Sequence, residues 1–214
     1  MDLATDLAVK RAAIRGLARE VGRGRALLWL GRSQLTRDPL RGLPPADTAA
    51  ERDTRAQLGP ALRVYRFLRG RVGEEEALRL TRAIVVAAGE AFLERRTAGL
   101  EPGRWRALNE QERRALLEQV GAGFPNARLE VERVEADRIA FGITACRFVE
   151  LCAELGVPEL SPVFCAADDA FFGRGPVRLE RPTLLSTGGA RCAFELSLPQ
   201  AEEGEAGSPG EGWK

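Results

Sequence analysis

Apolar residues recur at helical intervals through the first 120 positions and then switch to strand-like alternation. Leu7, Ile14, Leu17 and Val21 repeat at three- to seven-residue spacing, with Asp2, Thr5 or Asp6 placed to cap a helix start. Gly22-Arg23-Gly24-Arg25 breaks that pattern before a short apolar run, Ala26 to Leu30. Residues 37–50 hold Pro39, Pro44 and Pro45 and read as a loop. A helix is predicted over Ala49 to Leu68, kinked or restarted at Pro60. The next, Glu74 to Arg96, carries Leu78, Leu80, Ile84, Val85, Ala88, Phe92 and Leu93 around much of its circumference, which predicts a place at the centre of a helical layer. Asn109, with Glu112 three residues on, has the form of a capping box and opens a helix to Val120.

Beyond Gly121-Ala122-Gly123-Phe124-Pro125-Asn126 the period shortens. Residues 128–135 and 139–143 alternate across the Glu135-Ala136-Asp137 turn and predict a hairpin. Thr144 is read as opening a helix through Leu155, stopped by Gly156 and Pro158. A short helix is expected over Ser161 to Phe172, then strands over Arg178 to Leu184 and Ala193 to Leu198, joined by the turn Ser186-Thr187-Gly188-Gly189. The acidic, Gly-rich segment 200–214 reads as disordered. The predicted class is α+β: an N-terminal helical layer of four or so helices packed on a small antiparallel sheet, with a cysteine-bearing helix beside it. The predicted organisation is a helical N-terminal extension (1–50), an α+β domain (51–199) and a tail (200–214).

Composition narrows the chemistry more than the class. Hydrophobic content of 44% and charged content of 29% describe an ordinary globular protein. A net charge of +1 supplies no global field to recruit nucleic acid or an anionic membrane, and neither is an expected partner. Lys10 and Lys214 are the only lysines, and the arginines are spread along the whole chain, which reads as compositional bias rather than a binding face. No nucleotide-binding glycine fingerprint is present, and Trp29, Trp105 and Trp213 are scattered. With no basic leader and no apolar stretch of membrane-spanning length, a reducing cytoplasm with free thiols is the expected location.

There is no histidine, while all four cysteines, Cys146, Cys152, Cys165 and Cys192, fall in the last third. This removes Ser-His-Asp and Cys-His nucleophiles and His-ligated zinc. On a 144–155 helix, Cys146 and Cys152 would stand about 120° apart. Cys146 would share a face with Glu150, and Cys152 would lie with Phe148 and Val149 in the core. Cys165 and Asp168, three apart, would share a face of the 161–172 helix. The lack of a close CxxC pair disfavours a structural metal cluster, although ligands gathered from distant positions stay open.

Several stretches together resemble the L-2-amino-thiazoline-4-carboxylic acid hydrolase family. They are Val72-Gly73-Glu74-Glu75-Glu76-Ala77, Cys146 at a helix start, Glu154-Leu155-Gly156-Val157-Pro158-Glu159-Leu160, Cys165-Ala166-Ala167-Asp168, Leu179-Glu180-Arg181-Pro182-Thr183-Leu184 and Gly188-Gly189-Ala190-Arg191-Cys192-Ala193-Phe194. The last is also similar to vinyl-reductase-like ligand-binding domains, which share a helix-plus-antiparallel-sheet layout.

The resemblance implies a cytosolic hydrolase that opens a cyclic amidine-type thioether to an N-carbamoyl-cysteine-type product. Carried onto this chain, it makes Cys146, Cys165, Asp168 and Cys192 catalytic candidates, with Arg181 and Thr183 lining the site. Glu150 joins them as a substrate-binding candidate from its place beside Cys146. Asp168 would activate water or assist a thiolate of Cys165, and Arg181 would hold a substrate carboxylate by a bidentate pair. A metal ion held by Cys and Asp is an equally open route to the hydroxide. Two other readings stand beside it: a small-molecule or metal-binding sensor using the same cysteines, and an interaction protein. In the second, residues 1–70 form a docking arm and the N-terminal helices mediate homo-oligomerisation.

Overall fold

A computed structural model of the chain describes residues 3–199. The 200–214 tail and the Asp2 cap lie outside them. In chain order the elements are α1 (Leu3–Val21), α2 (Arg23–Gln34), α3 (Ala49–Val72), α4 (Glu74–Arg96), α5 (Pro102–Ala107), α6 (Glu110–Gly121), β1 (Ala127–Val134), β2 (Arg138–Cys146), α7 (Arg147–Glu154), α8 (Ser161–Phe172), β3 (Arg178–Glu180) and β4 (Cys192–Ser197). The four strands form one antiparallel sheet in the order β1-β2-β4-β3. This is the predicted α+β arrangement, with the helical layer at the N-terminal side of the chain. Among the described residues, no helix is long and apolar enough to cross a membrane.

Local chemistry accounts for the helix ends. Thr48 Oγ1 accepts from the Glu51 amide at 3.0 Å to start α3. Asn109 and Glu112 form the reciprocal capping box that starts α6. A single residue, Gly73 at φ 83°, turns α3 into α4, a conformation that favours glycine. The three glutamates that follow match the positive end of the α4 dipole.

Four sequence expectations are corrected. Only Gly22, at φ 81°, interrupts the first helices, and α2 is already helical from Arg23. Arg23 and Arg25 are exposed there, so the helix keeps both guanidinium groups in water. The α3 helix runs unbroken through Pro60. Pro60 and Ala56, whose carbonyl loses its partner, both face outward where water takes the bond. Thr144 opens no helix; β2 continues to Cys146, with Ala145 and Cys146 paired to Arg128 and Ala127. Thr144 Oγ1 lies 3.1 Å from Glu130 across the strands. The strand predicted over Arg178 to Leu184 shortens to three residues. Pro182 has no amide to donate to a ladder, although the Thr183 carbonyl still accepts from Ala193 N at 3.1 Å.

Two cores result. The helical one gathers Leu17 and Ala26 with Leu58, Leu62, Tyr65, Leu68, Leu80, Leu151, Cys152 and Leu160. The sheet one gathers Trp105, Leu117, Val134, Ile139, Val177, Leu196 and Leu198. Trp105 satisfies its indole N–H on the Glu135 carbonyl at 2.8 Å. The opposite sheet face carries polar pairs, including Glu132 with Arg191.

The α4 helix is central as predicted, packed by α1, α3 and α8, although Leu78, Ala88 and Phe92 on it stay half-exposed. Two glycines let the neighbours come close. A Cβ on Gly16 would stand 2.4 Å from the Ala83 carbonyl, and one on Gly89 would stand 2.4 Å from Ala167 Cβ. Gly89→Val is therefore expected to destabilise the fold by about 1–3 kcal/mol, the cost of overpacking a tight contact. It would appear as a lower urea midpoint at unchanged m-value. An unchanged midpoint would mean that α8 stands further from α4.

Candidate active site

The site grows from the periodicity of α8. Val163, Ala166, Ala167 and Phe171 form its buried side. Cys165, Asp168 and Asp169, spaced by three and four residues, share the opposite face. That face meets Arg181, which follows β3 directly. Arg181 Nη1 donates to Asp168 Oδ2 at 3.0 Å, and Nη2 donates to the Cys165 carbonyl at 2.9 Å and to an Asp169 carboxylate oxygen. The guanidinium lies 5.3 Å from the centre of the Phe194 ring, which stacks on Phe141 at 4.7 Å. Only 5% of the Arg181 side chain is exposed, and its Nε is buried without a partner among the described residues.

Burial governs the ionisation of this cluster. It raises the Asp168 carboxyl to about 6, against the pull of Arg181 and with help from the Asp169 charge. Burial also pushes the Cys165 thiol up to about 11, opposed by a hydrogen bond with Ser186. The Cys165 Sγ lies 3.3 Å from Ser186 Oγ.

Ser186 occupies a short 3-10 turn, Leu185–Thr187, between β3 and β4. From the same turn the Leu185 amide donates to Cys192 Sγ at 3.2 Å. Cys192 opens β4 opposite Ile143, on the face that also carries Phe194. The strap between β3 and β4 is thus tied to α8 through Cys165 and to the sheet through Cys192.

Cys146 is the last residue of β2 and stands just before α7. Burial raises its thiol, opposed by the Val149 and Phe148 amides and by Asn126, while the neighbouring Cys192 adds to the rise. The helical face that Cys146 was expected to share with Glu150 therefore does not exist. Glu150 is exposed and pairs with Arg147 at 3.1 Å. Arg147 also binds Glu51 at 2.8 Å and Glu154 at 2.5 Å, a cluster that staples α7 to α3. Cys152 is fully buried in the helical core, and burial lifts its thiol to about 12.

The structure therefore brings together Cys165, Asp168, Arg181 and, through the strap, Cys192. Cys146 is close enough to influence the thiols of both Cys152 and Cys165. The Thr183 side chain is exposed. Arg181 directs one Nη1 donor and both Nη2 donors at groups of the protein itself. Three contributors escaped the sequence reading of the site: Asp169, Ser186 and Phe194. The signal for Asp169 was its i+4 spacing from Cys165, whereas Ser186 was visible only as part of a turn. All four cysteines are free thiols. Among the described residues, no three Cys, Asp or Glu side chains converge as metal ligands would.

The family model for L-2-amino-thiazoline-4-carboxylic acid hydrolase aligns with residues 54–196, the span that holds every member of this cluster. No curated protein matches the chain. Among solved structures, a doubly substituted Tt H-NOX protein is 14% identical, covering 90% of this chain and 94% of its own at a TM-score of 0.37. An oxygen-binding H-NOX domain related to soluble guanylate cyclases is also 14% identical, with coverage of 88% and 92% and a TM-score of 0.34. With well over half of its length matched, including the α8 cluster and the strap around it, the chain belongs to the L-2-amino-thiazoline-4-carboxylic acid hydrolase family.

Proposed function

We propose that the chain hydrolyses a small cyclic amidine-type thioether such as 2-amino-thiazoline-4-carboxylate, opening the ring to an N-carbamoyl-cysteine-type product. The observation that carries this reading is Asp168, a half-buried carboxylate held by Arg181 and raised to about 6, within the stretch matched by the family model. A group with that ionisation is part base and part acid near neutral pH, as proton transfer in both directions requires.

Water adds to the ring carbon between nitrogen and sulfur, and Asp168 takes its proton. The carbon–sulfur bond then breaks, and Asp168 returns the proton to the departing sulfur. The second proton of the water ends on the ring nitrogen, so one water is consumed and nothing is oxidised or reduced. Arg181 acts as a positioning residue: it fixes the Asp168 carboxylate, and its buried Nε, with no partner among the described residues, lacks the acceptor that a substrate oxygen would supply. Cys165 at about 11 is a neutral thiol at pH 7, which favours water over direct thiolate attack. Cys146 and Cys192 line the same region. Ligand binding without turnover is the second reading, favoured by the Arg181 pairing that engages Oδ2 of the carboxylate turnover needs as a base.

Two outcomes test the hydrolase. Mass spectrometry of the products should show one added water, and Asp168→Asn should lower kcat by about 10²–10⁴-fold with unchanged circular dichroism. Binding without product would leave only the second reading, and full activity in the variant would remove Asp168 from the chemistry. The pH profile is the second outcome. The base form of Asp168 is lost as pH falls, so kcat/KM should drop below a pH of about 6. Because the Asp169 charge raises Asp168, Asp169→Asn should move that limb to lower pH. A limb that stays in place belongs to another group.

A further inference from the structure

A cleft lies away from this cluster and shares no residue with it. It encloses about 260 Å³ between the segment after α2 and the outer face of α3, and is lined by Thr36, Arg37, Asp38, Pro39, Arg63, Arg66 and Phe67. Three guanidinium groups border it. Arg63 and Arg66, one helical turn apart on α3, reach across to the segment. Arg63 Nη1 donates to the Thr36 carbonyl at 3.2 Å and to Gln34 at 3.4 Å. Arg66 donates to the Pro39 carbonyl at 3.1 Å and to the Leu155 carbonyl at 3.0 Å.

These partners are carbonyls, which satisfy donors without cancelling charge. The one carboxylate at the cleft, Asp38, stands 3.7 Å from Arg63 and already accepts from the Leu40 amide at 3.1 Å. Arg37 is exposed and has no partner among the described residues. The cleft therefore carries more positive than negative charge in a chain that is nearly neutral as a whole. Its wall is not purely polar: Pro39 is buried, and Phe67 is half-buried with Arg71 stacked on it at 4.5 Å.

We propose that this cleft binds a small organic oxyanion, a carboxylate or phosphate ester on a compact apolar body. Arg37, Arg63 and Arg66 meet the oxygens, and the body lies on Phe67 and Pro39. Planar guanidinium groups suit both anions, because each offers paired donors at the spacing of two oxygens. The volume falls just under the roughly 300 Å³ at which drug-sized sites begin, which sets the size of the ligand. Bound there, the anion would join Arg37 of the segment to two arginines of α3 and tighten the crossing that their carbonyl bonds already make.

The proposal does not rest on the hydrolase reading, and calorimetry on the full chain tests it at low salt with benzoate, phenyl phosphate and inorganic phosphate. Saturable binding of benzoate or phenyl phosphate is expected, stronger than that of inorganic phosphate. Whichever of the two binds better identifies the head group. Arg37→Gln, which breaks no described contact, and Arg66→Gln should each weaken binding about tenfold, the loss of roughly 1.4 kcal/mol. Asp168→Asn should leave this binding unchanged, which separates the site from the α8 cluster. Equal affinity in Arg37→Gln, equal binding of neutral benzamide, or no saturation in the millimolar range would each overturn it.

Discussion

The buried guanidinium of Arg181 is the interaction on which the site depends. A charge out of water is costly unless it is paired and hydrogen-bonded, and Arg181 meets that condition with Asp168, Asp169, the Cys165 carbonyl and the Phe194 ring. Those partners come from a helix and from the far strand of the hairpin it approaches. The same contacts therefore fix the distance between α8 and the sheet. They also explain why Asp168 is held above its ordinary range despite an adjacent cation: the burial that admits Arg181 penalises the carboxylate more than the cation relieves it.

That arrangement needs α8 rotated so that its polar face meets Arg181, and the rotation is set from behind. The missing side chain at Gly89 lets Ala167 press onto α4. A side chain larger than Ala167 would push the helix away from the contact that orients it. The helical core thus ends on α8, the sheet core ends at the Phe141–Phe194 stack, and the charged cluster occupies the seam between them. Partly buried polar groups at such a seam are screened from water without being sealed inside either core.

Much of the helical half was readable from the residues. The start of α4 and the end of α7 follow from Gly73 with its three glutamates and from Gly156–Pro158, and the Asn109–Glu112 box marks α6. Those signals are local, carried by residues within a turn of the boundary they set. The errors fall where a local signal met a long-range partner. Thr144 is a good helix start by itself, but Glu130 and the β1 ladder hold it in a strand. Pro60 breaks helices in general, yet at an exposed position its lost bond passes to water. In the site, the spacing of Cys165 and Asp168 on one helical face was legible. Glu150 was misplaced, because its face was reckoned on a helix that begins only after Cys146.

By itself, the sequence determined the class of layers, the chemistry excluded by the lack of histidine, and the order of residues that marks the family. Each of these is a matter of identity and local period. Only the tertiary structure decided that Arg181 spends its Nη donors on the protein, that Ser186 meets Cys165, and that Glu150 belongs to Arg147. It alone converted evenly spread arginines into a local surplus of charge beside Phe67. The reason is physical: a hydrogen bond or ion pair depends on where two side chains stand in space, and residues far apart in sequence acquire that relation only when the cores between them pack.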